Sequence, residues 1–299
     1  MRINPDFVQG LVSAVNQTQA NEQKYTNEIS TGVSVNSLSD NPAAASQDFL
    51  LRTEINANDS FIQSASTLTS QMQVADTALG SVVSQVTSAI TLATEGANGT
   101  LNASNLQSIA NQLSGIRDEV VSLANSSYQG QYLFAGSQTT TQPFSLSTGA
   151  PPAVIYSGDS ALSYTMTPNG QQIQMNLPGN SVFGSGSTGV IAAINNLIND
   201  FNTGASSATV STDIANLTAG MNTVTQQRVI LDNSLNRLQA STTYAQSETT
   251  QLQAAQNAVI QSNPTQLATL LSQTQTQNTS LIDMIASLDA MPTLFSRLN

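Results

Sequence analysis

The sequence predicts a mainly α-helical protein: an elongated bundle of long heptad-patterned helices with terminal coiled-coil segments and a small inserted β domain. Two long stretches lack proline, one between Pro42 and Pro143 and the other between Pro178 and Pro264, and both carry apolar residues spaced three and four apart. Because proline interrupts the hydrogen bonds of a helix interior, long helices are confined to these stretches. Five of the nine prolines fall between them, and that segment is therefore predicted to be β-rich.

The first proline-free stretch contains two predicted helices. The first begins with Asn41 as N-cap and Pro42 at the first helical position, and it ends near Gly96. Its rise per residue gives a length of about 80 Å. A second helix with the same spacing covers residues 106–123 and ends near Gly130. The heptad seam of the first helix consists of Leu51, Ile55, Asn58, Ile62, Ala65, Thr69, Met72, Asp76, Leu79, Val83, Val86, Ile90 and Ala93.

The second proline-free stretch predicts a flexible Gly-Ser connector at residues 184–187, a short helix over residues 190–201 and a long helix over residues 210–259. Most seam positions of the long helix are apolar, and one helix cannot bury such a stripe alone, so it is predicted to pack against the two earlier helices. Asp76 and Arg228 lie at seam positions of opposite helices. Their spacing allows an ion pair inside the bundle, which would set the helix register more than add stability.

The inserted β domain is predicted over residues 138–186. Apolar and polar residues alternate around residues 162–166 and again around residues 173–177, and Asn169-Gly170 stands between the two runs. An Asn-Gly pair between two alternating runs is typical of a β-hairpin.

Both chain ends carry a heptad seam that is weakest in its middle. In an antiparallel pair with the ends together, Thr18 and Glu22 lie level with Thr274 and Asn278, so that polar residues meet polar residues. A coil of about 25 residues per helix with so polar a seam is marginal alone in water. We therefore expect the ends to be disordered in the free monomer and to become ordered when neighbouring chains cover their apolar residues.

The apolar residues of these ends form the predicted assembly interface. They are Phe7, Val8, Leu11, Val15, Tyr25, Ile29, Leu267, Leu271, Leu281, Ile285, Leu288, Leu294 and Phe295. The whole pattern predicts three domains: residues 1–41 with 262–299 as a terminal coiled-coil domain, 42–137 with 187–261 as a long-helix bundle domain, and 138–186 as the inserted small β domain.

Composition excludes most catalytic and metal chemistry. The chain has no His and no Cys, so it lacks the side chains of a zinc site, a thiol nucleophile or a Ser-His-Asp relay. The inserted domain offers Asp159 as its only carboxylate, whereas a glycosidase needs two. We therefore expect no catalytic residues, no cofactor and no metal. A net charge of -11 argues against nucleic acid as a partner, and the lack of a long apolar run argues against membrane insertion.

Two motifs carry a resemblance to a known family. Residues 29–45, ISTGVSVNSLSDNPAAA, resemble the segment that links the terminal coil to the first long helix in the flagellin superfamily. Residues 132–137, YLFAGS, with QPF at residues 142–144, resemble the entry into the outer domain of the hook–filament junction branch of that superfamily. Val33 and Ser34 depart from the family pattern, because a basic pair is common there.

The resemblance implies a structural subunit of the bacterial flagellum, which is not an enzyme. Such proteins pass unfolded through the flagellar export channel and lie outside the cell, where their terminal helices self-assemble into a ring of identical subunits between hook and filament. The implied partners are further copies, the hook-side junction protein, flagellin and a cytoplasmic export chaperone that masks the C-terminal helix.

Two other interpretations stay open on the sequence. The chain has the features of a filament flagellin as well, since no residue reveals whether the assembly stops after one ring. The inserted domain would bind carbohydrate if Tyr156, Tyr164 and Phe183 stacked on sugars, although a small β domain also needs aromatic residues for its own core.

Overall fold

The computed structural model describes residues 5–99, 101–149 and 152–289. The fold is mainly α-helical with small antiparallel sheets, as predicted. The helices are α1 (Pro5–Thr31), α2 (Pro42–Ala97), α3 (Ala103–Ala124), α4 (Gly179–Phe183), α5 (Val190–Thr203), α6 (Ser207–Ile260) and α7 (Pro264–Asp289). The strands are β1 (Ser127–Tyr128), β2 (Gln131–Tyr132), β3 (Phe144–Leu146), β4 (Val154–Tyr156), β5 (Tyr164–Met166) and β6 (Gln172–Gln174).

Asparagine side chains cap the starts of three helices. Asn41 Oδ1 accepts a hydrogen bond from Ala44 N at 3.2 Å, and Pro42 is the first residue of α2, as predicted. Asn102 caps α3 and Asn263 caps α7 in the same way. Each cap satisfies an N–H group for which the helix itself offers no acceptor.

The chain forms two compact units. The terminal unit comprises Met1–Asn56 with Glu248–Asn299, and the central unit comprises Ala57–Ser247. Both α2 and α6 contribute residues to each unit. This division differs from the three predicted domains, whose existence as separate folding units stays a prediction.

The core of the central unit is formed by α2, α3, α5, α6 and the β segment. The ion pair that the sequence allowed is present: Arg228 Nε lies 2.5 Å from Asp76 Oδ1, and Arg228 Nη2 lies 3.1 Å from Asp76 Oδ2. A two-pronged contact of this kind fixes the orientation of both side chains. It therefore holds α2 and α6 in one register within this unit.

The β segment consists of short hairpins around an aromatic cluster. The predicted Asn-Gly hairpin is confirmed, with Tyr164 opposite Gln174 in the antiparallel pair β5–β6. Phe134 and Phe144 each pack edge-on against Phe183, with ring centroids 5.2 and 5.4 Å apart. All three rings belong to the same buried cluster as the helices. The inserted segment is therefore continuous with the core of the helical part.

The helix α3 ends earlier than predicted, at Ala124 rather than near Gly130. The Asn125 side chain stops it by pairing with the backbone of Phe144, donating to O at 2.9 Å and accepting from N at 2.8 Å. A hairpin of β1 and β2 follows, and both of its turn residues, Gln129 and Gly130, have positive φ. Two positive φ angles match the right-handed twist of adjoining strands.

The glycine connector near residue 184 makes closer backbone contacts than a flexible linker would. Gly184 and Gly189 have φ angles of 78° and 89°, and a Cβ on either residue would overlap backbone atoms of the other side of the loop. Only glycine fits such a close approach at these angles. The connector is a tight turn at the entry to α5.

Replacing Gly189 with alanine is expected to destabilise the central unit by about 3 kcal/mol, because the new Cβ would overlap Phe183 O. The free energy of unfolding from urea titration measures the effect. Gly115→Ala is the control, since this glycine lies in α3 with no atom near its Cβ position, and we expect a gain of about 0.5–1 kcal/mol. Equal effects of the two substitutions would contradict this account of the turn.

Candidate assembly interface

The terminal unit contains an antiparallel pair of helices, α1 and α7. Backbone hydrogen bonds join the segment that follows α1 to the end of α6 and to the segment that precedes α7. Ser34 N donates to Ile260 O at 2.7 Å, and Ser262 N donates to Gly32 O at 3.0 Å. Gly32 ends α1 with a φ of 72°, a left-handed conformation that glycine adopts readily. Val33 forms a β-bridge with Gln261 on the other chain segment. Val33 and Ser34, which depart from the family pattern, are therefore part of the link between the two helices.

The polar residues in the middle of the α1–α7 pair lie at the level that the sequence predicts. Thr18 Oγ1 donates a hydrogen bond to Asn278 Oδ1 at 3.4 Å, which confirms that these two residues are level. Thr18 and Thr274 are both buried, and Glu22 is half-buried. A buried polar layer adds little stability, but it favours one alignment of the helices.

Charged residues hold the loop between α1 and α2. Asp40 accepts hydrogen bonds from the backbone N and the hydroxyl of Ser37 at 2.9 and 3.0 Å, and these bonds keep the pKa of Asp40 below its usual value. Lys24 Nζ lies 3.5 Å from Asp40 and 3.9 Å from Glu28. Burial raises the pKa of Glu28, and the charge of Lys24 opposes that effect. The loop of the first motif is thus tied to α1.

The predicted interface residues fall into three groups. Leu11 and Leu267 are buried, Val15, Tyr25, Leu271, Leu281 and Ile285 are half-buried, and Phe7, Val8 and Ile29 are exposed. The side chain of Leu288 and the whole of Leu294 and Phe295 lie outside the described residues. Their role in assembly, like that of the other interface residues, stays a prediction.

Six further exposed apolar residues among the described residues of the terminal unit were not predicted. They are Val12, Leu38, Phe49, Leu50, Ile282 and Met284, and Phe49 is 68% exposed. A heptad seam identifies the residues that face a partner helix in the same chain, and these six lie off that seam. The run Phe49-Leu50-Leu51 could have revealed two of them, because only one of three consecutive residues can belong to a heptad seam.

The terminal unit buries few apolar side chains. Among its described residues the buried apolar side chains are Leu11, Ile55, Ile260 and Leu267, each with 5–8% exposure. Five polar residues are buried in the same unit: Thr18, Glu28, Thr249, Ser262 and Thr274. Since ordering each residue costs about 1–2 kcal/mol, so small an apolar core leaves little to stabilise the unit.

Two of the aromatic residues considered for sugar stacking serve the core instead. Phe183 is buried in the aromatic cluster, and the Tyr156 hydroxyl donates to Phe134 O at 3.0 Å and Asp159 O at 2.8 Å. Tyr164 is exposed. In the described ranges there is no group of three acidic, His or Cys side chains placed to hold a metal ion. The same ranges contain no helix with an apolar stretch that could span a bilayer.

Comparison with known proteins supports the resemblance. The family described as the bacterial flagellin N-terminal helical region matches residues 9–139. Flagellar hook-associated protein 3 of Salmonella typhimurium is 34% identical over 180 residues, which cover 57% of this chain and 56% of that protein. The match thus spans about half the length of this curated relative.

Solved structures share the fold. FlgL of Bacillus cereus has a TM-score of 0.56 at 18% identity, covering 70% of this chain and 99% of that one. The flagellar junction protein FlgL from Legionella pneumophila has a TM-score of 0.58 at 14% identity, covering 72% and 100%. The resemblance is therefore confirmed: residues 9–139 match the bacterial flagellin N-terminal helical region, and the chain is similar to flagellar hook-associated protein 3 and shares the fold of FlgL.

Proposed function

We propose that this protein is a structural, non-enzymatic subunit of the bacterial flagellum that forms the junction between hook and filament. The similarity to hook-associated protein 3 and to a structure named as a flagellar junction protein supports the assignment. The observation that carries the assembly role is the terminal unit, in which exposed apolar residues accompany a very small core.

Assembly supplies the apolar contacts that the terminal unit lacks. Full burial of an aliphatic or aromatic side chain contributes about 1.5–3 kcal/mol, so covering several exposed residues offsets much of the cost of ordering the helices. In a ring, neighbouring copies of the chain lie at the same level along the flagellar axis. These copies cover the exposed apolar residues of one another. The hook-side junction protein and flagellin provide it on the two faces of the ring.

Export precedes assembly in this proposal. The chain leaves the cell through the flagellar export apparatus and functions outside it. Before export, a cytoplasmic chaperone covers the helix α7, on which Ile282 and Met284 are exposed apolar residues. A covered helix does not aggregate through these residues.

A deletion experiment in the source bacterium tests the junction role. Without a junction protein, hooks remain and flagellin monomers are shed into the medium, and expression of the intact chain restores filaments. Immunogold electron microscopy of the complemented cells should place label only where hook meets filament. Label along the whole filament, with no flagellin shed by the deletion strain, would show that the chain is a filament flagellin.

A further inference from the structure

A buried carboxyl group lies where α5 ends and α6 begins. Asp200 is 7% exposed, in the last turn of α5. Its backbone O accepts a hydrogen bond from Ala205 N at 2.9 Å, and Gly204 ends the helix with a left-handed φ of 70°. The next helix starts at Ser207 and carries Asp213 in its second turn. Asp213 is close enough for its side chain to act on the Asp200 carboxyl group.

Among the described residues, no cation is paired with the Asp200 carboxyl group. Its Oδ2 is buried and has no hydrogen-bond partner in the described part of the chain. The charged group that acts on it from α6 is Asp213, whose Oδ1 accepts a hydrogen bond from Asn216 at 3.0 Å. Two negative charges that face each other with one of them buried repel strongly.

In the ranges that the structure describes, the other helices packed on α5 bring no free cation to this corner. On α3, Arg117 is already bonded to Asp118 at 2.8 Å and to Asn195 at 3.2 Å. On α2, the charged residue next to the Phe201 contact is Glu95, which is acidic and exposed. A proton shared between the two aspartates would relieve the repulsion, because a protonated carboxyl group donates a hydrogen bond to an ionised one.

We propose that Asp200 and Asp213 form a proton-operated latch, which holds the end of α5 against the start of α6 in mildly acidic solution and loosens it above neutral pH. Burial, followed by the charge of Asp213, raises the pKa of Asp200 to about 6. The proton is bound more tightly in the folded than in the unfolded chain. The stabilisation is therefore complete below the pKa of an unfolded aspartate, and it is lost as the pH rises through about 6.

Urea unfolding of the full chain at pH 5 and pH 8 tests the latch with Asp200→Asn, an isosteric residue that stays neutral. We divide the folding equilibrium constant of the variant by that of the parent chain. This ratio is expected to rise about 10-fold from pH 5 to pH 8. Glu119→Gln, at an exposed position of α3, is the control and should give a constant ratio. A constant ratio for Asp200→Asn would overturn the proposal.

A second measurement does not depend on unfolding. Titration of the Asp200 carboxyl carbon by NMR in the full chain should show a pKa near 6, and Asp213→Asn should lower it. A pKa at or below the usual aspartate value would contradict the latch. Calcium that stabilises the EDTA-treated parent chain at pH 8, but not Asp200→Asn, would assign the pair to a cation instead of a proton.

Discussion

Replacing both Val8 and Val12 with aspartate is expected to abolish incorporation of the protein into flagella while the central unit stays folded. Both valines are exposed, one helical turn apart on α1. If neighbouring copies cover them, the change removes about 1.5–3 kcal/mol of burial per side chain and adds the cost of burying charge. Association should therefore weaken by more than about 100-fold. Electron microscopy of labelled flagella and swarming diameter measure the loss.

The matched control places the same charges on the same helix. Gln9 and Ser13 are exposed polar residues with the same spacing, so Gln9→Asp with Ser13→Asp adds two charges without removing apolar surface. This variant should assemble and swarm normally. If the valine variant assembles as well as this control, the apolar residues of α1 are not part of the interface.

Replacing Phe134 with alanine is expected to lower the free energy of unfolding of the central unit by about 3–5 kcal/mol. Phe134 is fully buried and packs edge-on against Phe183, so truncation leaves a cavity between the β segment and the helices. Urea unfolding followed by circular dichroism measures the change.

The control for this substitution is Phe49→Ala. Phe49 is 68% exposed in the terminal unit, so its truncation should change the free energy of unfolding by less than about 0.5 kcal/mol. A cost below about 1 kcal/mol for Phe134→Ala would contradict a core shared by the β segment and the helices.

The helices were predictable because their signals are local and repeated. Asn41 and Pro42 mark the start of α2 in the sequence, and the same residues cap it in the structure. The pairing of Thr18 with Asn278 followed from where both terminal seams turn polar. The Asp76–Arg228 pair followed in the same way from two seam positions. The cap requires particular residue types at the helix start, and the two pairs require particular residue types at defined heptad positions.

The missed features depend on contacts distant in sequence. The end of α3 is fixed by hydrogen bonds between the Asn125 side chain and the backbone of Phe144. No local sequence pattern predicts this contact. The turn at Gln129 and Gly130 lacks the Asn-Gly pair that marks the hairpin at residue 169. Val12 and Phe49 were missed because a seam identifies the face toward a helix of the same chain. Exposed apolar residues that lie off the seam follow no such period.

We propose that the terminal unit becomes stably ordered only when neighbouring chains cover it. Hydrogen exchange of the full chain, compared in dilute solution and in assembled flagella, measures this ordering. We predict that amides of α1 and α7 exchange nearly as fast as in an unfolded peptide when the chain is dilute, and slow by several orders of magnitude on assembly. Amides of α3 should stay protected throughout. Equal protection of α1, α7 and α3 in the dilute chain would contradict the account.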